Sequence, residues 1–139
     1  MRTLEDRDVP SATALWAATE NLGPPPTDDL ARVRARTPEL VLVAEFDGHV
    51  VGVVLGGDDG RRGWISRLAV AGSARRRGVA RALVRELEER LASRGCPQVN
   101  VLVFADNHAG RALWETAGYA HSEGVAMYRR SLDGPDGGC

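Results

Sequence analysis

Leu68-Ala69-Val70-Ala71-Gly72-Ser73-Ala74-Arg75-Arg76-Arg77-Gly78-Val79-Ala80 carries a strand into a helix through a basic turn. The strand end is read from Trp64, Ile65, Leu68 and Val70, residues that suit a pleated, half-buried surface. The helix is read from Val79, Ala80, Leu83, Val84, Leu87 and Leu91, which recur at three and four with Arg81, Arg85, Glu86, Glu89 and Arg90 opposite them. First-turn amides at such a helix start have no helical acceptor. With a macrodipole of about half a positive charge at that end, they suit an anion. Gly78 has no Cβ to obstruct a phosphate, and Ala80 is nearly as small. The dipole disfavours three arginines at this place, so an anionic ligand gives a reason for Arg75, Arg76 and Arg77; the alternative is a solvated basic run. A Walker loop needs Gly-Lys-Ser/Thr and a dinucleotide fingerprint needs three spaced glycines, and neither pattern is present.

Upstream, Val41-Leu42-Val43 and Val50 to Leu55 flank Asp47-Gly48, which predicts a hairpin closed by a turn with positive backbone angles. Gly56, Gly57, Asp58, Asp59 and Gly60 read as the next turn of a meander. Before the hairpin, a short strand precedes a helix capped by Asp8 or Ser11 with Ala14, Leu15 and Ala18 on one side. The Gly23 to Pro26 loop follows, then a second helix capped by Thr27 or Asp28. Downstream, Gly95 ends the basic helix and Val99 to Phe104 form a strand, as in a parallel crossover. Ala109 to Ala117 is a short helix stopped by Gly118, and Tyr119 to Glu123 with Val125 to Arg130 predict a final hairpin through Gly124.

The 139 residues suit a single domain, 1–132, with a Gly-rich tail at 133–139. A formal charge of -1 opposes a field that would concentrate the chain on nucleic acid or an anionic membrane. All 18 basic residues are arginine, so no lysine serves as base or Schiff-base nucleophile. Cys96 and Cys139 make no disulfide framework, and no stretch approaches the roughly 18 apolar residues of a membrane span, which predicts a cytoplasmic protein. None of His49, His108 and His121 has a partner at metal-ligand spacing, so no metal is expected.

The residues Arg75, Gly78 and Ala80 resemble the pyrophosphate motif Arg/Gln-x-x-Gly-x-Gly/Ala of the GNAT acetyltransferase superfamily, and Leu68-Ala69-Val70 resembles the strand before it. A second family motif, Asn followed by a helix ending in Leu-Tyr-Glu-x-x-Gly-Phe, is matched at the same spacing by Asn107, Leu113, Trp114, Glu115, Gly118 and Tyr119. Gly63-Trp64 and Gly95-Cys96-Pro97, among other short stretches, are similar to the small bacterial YpeA-type branch. The resemblance implies an α/β (α+β) GNAT fold, a mixed, mostly antiparallel sheet of about seven strands flanked by about four helices. It implies acetyl-CoA as cosubstrate, with Leu68, Ala69, Val70, Arg75, Arg76, Arg77, Gly78, Val79, Ala80, Asn107 and Trp114 binding it. The acceptor implied is a primary amine of a small molecule or a protein, on a monomer or homodimer, and the acceptor site implied lies between the first two helices and the hairpin connecting the last strands, with the loop at Pro24 to Pro26 in its wall.

Acetyl transfer by direct attack needs a neutral amine, a donor for the thioester oxygen and a proton for the departing thiolate. A backbone N–H around Ala69 or Val70 is the expected oxygen donor. The family's usual Tyr acid corresponds to Trp114, whose indole gives a hydrogen bond but no proton. Trp114 packs against CoA, or Tyr119 or Tyr128 substitutes, or the thiolate leaves without a protein acid. Where family members often carry a Glu before the turn, this chain has Ile65-Ser66-Arg67, leaving Glu20, Glu45, Asp58 and Asp59 as remote base candidates. Two further readings stand beside the enzyme: a catalytically weak acyl-CoA sensor, motivated by Trp114 and the missing Glu, and a nucleic-acid module on Arg75 to Arg77, opposed by the overall charge.

Overall fold

Asp47 and Gly48 take φ of 51° and 77°, the two left-handed residues that let a tight turn follow the twist of its strands. The strands so joined are β2 (Val41–Phe46) and β3 (His49–Asp58), paired from Phe46↔His49 out to Val41↔Leu55. β1 (Arg2–Thr3) lies antiparallel on the outer edge of β2, and β4 (Gly63–Val70) antiparallel on β3. β5 (Val99–Val101) joins β4 in parallel after helix α3 (Val79–Ser93), giving the order β1-β2-β3-β4-β5. The computed structural model describes residues 1–20, 22 and 27–132, so the loop at Pro24 to Pro26 and the tail at 133–139 lie outside it. Two compact units are distinguished, Met1–Leu102 and Val103–Cys139.

The described residues contain a mixed sheet of five strands, not about seven, with four α-helices. The expected final hairpin is absent: around Gly124 there is a turn, but Tyr119 to Glu123 and Val125 to Arg130 form no ladder. Val125, Met127 and Tyr128 are all exposed, and a hairpin that covers no apolar face gains little from forming. The strand expected over Val99 to Phe104 likewise stops at Val101, and Leu102 and Phe104 are exposed.

Within the first unit the sheet is covered on both faces. Helix α1 (Val9–Ala18) buries Ala12 and Trp16 against Val41, Val43, Val53, Leu55 and Ala69. Of Ala14, Leu15 and Ala18, read as one side of the helix, Leu15 packs against the core and Ala14 and Ala18 are exposed, because the large indole of Trp16 sets which face turns inward. Leu30 of helix α2 (Thr27–Arg36) joins the same cluster; the residue that would cap this helix falls outside those described. On the other face α3 seats Leu83, Leu87 and Leu91, each fully buried, over three glycines. A Cβ at Gly52 would stand 2.9 Å from Leu83, one at Gly56 2.6 Å from Leu87, and one at Gly63 2.8 Å from Leu91. The expected turn at Gly56-Gly57 is therefore strand: β3 runs on to Asp58, and Gly56 is there to admit the helix. Gly95, with φ of 90°, ends α3 as expected, its amide on the Ala92 carbonyl and the Cys96 amide on that of Leu91.

Neither Asp8 nor Ser11 caps α1 through its side chain. Ser11 lies inside the helix, and the buried Asp8 carboxylate accepts from the Glu5 amide at 2.8 Å and from both Arg2 guanidinium nitrogens at 2.6 and 2.9 Å. The Arg2 hydrogen bonds hold the Asp8 carboxyl below the usual carboxylate range. A group depressed in the folded chain stabilises above its unfolded value, about 3.9 for Asp, and that contribution is lost as pH falls through the folded value. Denaturant unfolding at pH 7 and at pH 3 is expected to show a larger loss for the wild type than for Asp8→Asn; equal losses would deny Asp8 this role.

Candidate functional site

The junction of β4 and α3 is built from backbone. After Val70, the Ala71 amide still bonds the Val51 carbonyl at 2.8 Å, and a single 3-10 turn, Gly72–Ala74, tucks Ala74 into the core. Arg75 bends back with Nε donating to the Val70 carbonyl at 3.4 Å. Arg76 is left-handed at φ 66°, which the sequence did not signal, and Gly78 is left-handed at φ 77° as the N-cap of α3. No side chain caps this end. The Ala82 amide is bound to the Gly78 carbonyl at 3.0 Å, so Val79, Ala80 and Arg81 present the orphan amides of the first turn. A Cβ built on Gly78 meets nothing within 4 Å, so the space over those amides is open. Arg75, Arg76 and Arg77 are exposed, and none pairs with a carboxylate among the described residues. Uncapped amides, a positive dipole end and three exposed guanidinium groups are chemically suited to an anion.

Just before this turn, β4 has no strand along part of one edge among the described residues. Its pairing with β5 runs only from Gly63↔Val99 to Ile65↔Val101, while β4 continues to Val70. On the β3 side, Val53 pairs with Ala69 but Leu55 pairs with Ser66, so Arg67 and Leu68 together oppose Val54 in a bulge. The bulge exchanges the faces of the strand. Gly63 lies under Leu91 of α3, whereas Ala69, an even number of residues on, packs on the α1 side. Arg67 is left-handed at φ 53°, its carbonyl accepts from the Trp16 indole at 2.6 Å, and its guanidinium lies 5.5 Å from the centre of the Trp16 ring and donates to the Leu22 carbonyl at 3.3 Å. Burial lowers the Arg67 pKa, opposed by the charge of Asp29. Sequence reading takes Trp16 for core or acceptor-pocket wall, and it is core; it misses the role of Arg67, for which the available signal was that Ile65 and Ala69 are apolar at a spacing that ordinary alternation would place on one face.

The remaining candidates lie in the second unit and organise one helix, α4 (His108–Thr116). Asn107 is its N-cap, Oδ1 accepting from the Gly110 amide at 3.0 Å, and a Cβ at Gly110 would stand 2.6 Å from the Asn107 side chain. Gly118, at φ 96°, ends the helix with its amide on the Glu115 carbonyl, and the Tyr119 amide bonds the Trp114 carbonyl at 2.9 Å. That stop brings the buried Trp114 edge-on to Tyr119, ring centres 5.1 Å apart, the apolar contact expected across such a cap.

Of the base candidates, Glu20 is exposed, and Glu45, Asp58 and Asp59 are engaged elsewhere. Glu45 accepts from Arg2 at 2.9 Å. Arg94 bonds Asp58 and holds it below the usual range, and the Arg62 and Arg61 amides hold Asp59 at about 2. Burial raises the Cys96 thiol, which disfavours a nucleophilic thiolate there. Among the described residues no His, Cys, Asp and Glu gather in threes to hold a metal, and no helix is long and apolar enough to cross a membrane.

Residues 10–119 match the model of the acetyltransferase (GNAT) family. Among solved structures, Ard1 from Thermoplasma volcanium superposes with a TM-score of 0.79 at 22% identity, covering 87% of this chain and 82% of its own. The ribosomal-protein-S18-alanine N-acetyltransferase from Escherichia coli gives 0.71 at 24% identity, with 86% and 76% covered. AAC(6')-Iy in complex with the bisubstrate analogue CoA-S-monomethyl-acetylneamine gives 0.70 at 19%, with 93% and 95% covered.

Proposed function

Since the chain belongs to the GNAT acetyltransferase family, we propose that it is an N-acetyltransferase moving the acetyl group of acetyl-CoA to a primary amine of a small molecule or a protein by direct attack. The observation that carries this reading is an uncapped helix N-terminus, open over Gly78, that follows directly on an edge of β4 bearing no strand. The pyrophosphate of CoA suits the first, taking the amides of Val79 and Ala80 with Arg75, Arg76 and Arg77 around it. The amides of the pantetheine arm suit the second, adding to Leu68, Ala69 and Val70 as a short strand would. Asn107 and Trp114 are carried over as CoA contacts on the strength of the family motif alone. The family match spans both compact units, which supports treating residues 1–132 as one functional domain, with 133–139 as a tail. A protein and an aminoglycoside-type acceptor are both represented among the structural relatives, which supports an amine acceptor without choosing between them. The lack of a cysteine framework suits a reducing, cytoplasmic setting.

In the proposed reaction the amine nitrogen attacks the thioester carbon, the C–S bond breaks, and the amine's extra proton passes to solvent. A backbone N–H of β4, in or beyond the bulge, stabilises the oxygen as it gains charge. At the departing sulfur, Trp114 has only a hydrogen bond to give, and Tyr119 is the residue of the pair with a titratable proton. A thiol with a reference value near about 8.5 leaves without strong assistance, so the reaction does not depend on a protein acid. A second reading, a catalytically weak acyl-CoA sensor, is favoured by Trp114 at the family's usual Tyr position and by Ile65-Ser66-Arg67 in the region where family members often carry a Glu. Calorimetric titration with acetyl-CoA is expected to show saturable binding, and a panel of amines is expected to release free CoA. No binding at millimolar acetyl-CoA would overturn both readings; binding without CoA release would select the sensor.

A further inference from the structure

Trp16 is fully buried in α1, yet its indole N–H reaches a backbone carbonyl 51 residues away, that of Arg67, at 2.6 Å. A buried indole N–H needs an acceptor, but the one it takes is not an ordinary strand carbonyl. Arg67 sits in the bulge of β4 at φ 53°, a conformation disfavoured for a residue with a side chain. The same indole that holds its carbonyl also lies under its guanidinium, so Trp16 grips Arg67 at both ends.

A trans peptide is planar, with its C=O and N–H pointing in opposite directions. Fixing the Arg67 carbonyl toward α1 therefore fixes the Leu68 N–H away from α1. A carbonyl that accepts a hydrogen bond also polarises its own peptide, strengthening the N–H on the other side as a donor. Beyond Ile65, no strand among the described residues lies on the β5 side of that part of β4 to consume its polar groups. We propose that Trp16 is a positioning residue for acyl transfer: its bond to the Arg67 carbonyl orients and polarises the Leu68 N–H as the donor to the thioester oxygen of acetyl-CoA. This rests on the N-acetyltransferase reading above.

The test is the infrared carbonyl band of acetyl-CoA, labelled with carbon-13 at the thioester carbonyl, bound to the full-length protein. In the wild type the band is expected below its position in free acetyl-CoA, as a polarised carbonyl requires. Trp16→Phe fills most of the core space but has no N–H. Its band is expected to return most of the way to the free position, while acetyl-CoA affinity falls by no more than about tenfold, the net effect of one hydrogen bond. Placing Arg67→Gly on that background is expected to move the band back, because glycine takes a positive φ unaided. Benzothienylalanine at position 16 keeps the bicyclic shape without the N–H and gives the same readout should the phenylalanine variant fail to fold. A wild-type band at the free position, or a folded variant without the N–H whose band stays at the wild-type position, overturns the role of Trp16 and leaves the N-acetyltransferase reading standing. Failure of the wild type to bind acetyl-CoA overturns both.

Discussion

Gly78→Val is expected to raise the acetyl-CoA dissociation constant by at least about 100-fold, because losing two charge-assisted amide bonds to phosphate removes about 3 kcal/mol or more. Two effects combine in that variant. Gly78 caps α3 at φ 77°, where a β-branched residue is strained by about 1–3 kcal/mol. Its side chain would also grow into the space over the Val79 and Ala80 amides, where nothing now lies within 4 Å. Gly78→Asn separates the two, since asparagine tolerates the left-handed region but still fills the space. That variant is expected to melt close to the wild type and to bind acetyl-CoA nearly as poorly as the valine variant. Wild-type affinity in folded Gly78→Asn would remove the pyrophosphate from this turn.

The second large effect is on stability. Gly56→Val is expected to destabilise the fold by about 3 kcal/mol, the upper part of the usual range for overpacking, while Gly57→Val changes stability by no more than about 0.5 kcal/mol. The two glycines are neighbours in β3, equal in propensity and opposite in surroundings. A Cβ at Gly56 would stand 2.6 Å from Leu87 and 3.0 Å from the Leu40 backbone carbonyl, whereas one at Gly57 meets nothing within 4 Å. Leu87 is fully buried and has little room to give way, and the Leu40 carbonyl can move only with its backbone. Against a total stability of about 5–15 kcal/mol, the Gly56 change alone is a substantial fraction. Urea unfolding of the pair decides it: equal midpoints would mean that α3 is not seated on β3 as described.

Much of the site is local and so was legible. The turn at Gly78 needs only a strand, a helix start and a residue without a Cβ, all contiguous between Leu68 and Ala80. Gly118 is legible for the same reason, as the stop of one short helix, whereas the family resemblance assigns Asn107 to a ligand and the structure shows it capping that helix, bonded to the Gly110 amide. What escaped reading depends on partners far along the chain. Gly56 looked like a turn because glycine is common in turns, and only Leu87 across the sheet explains it as strand. Ala14, Leu15 and Ala18 share one side by spacing, but Trp16 has more apolar surface to bury and took the inner face, leaving Ala14 and Ala18 exposed.

The sequence by itself determined the hairpin at Asp47-Gly48, the amphipathic α3 and the basic turn that starts it, since backbone angles, helical period and the missing Cβ of glycine act over a few residues. Tertiary structure decided how many strands form, which face of α1 is buried and where β4 bulges. Those outcomes depend on which surfaces meet. A strand needs an edge and a face supplied from elsewhere, and the left-handed Arg67 is held by an indole 51 residues away.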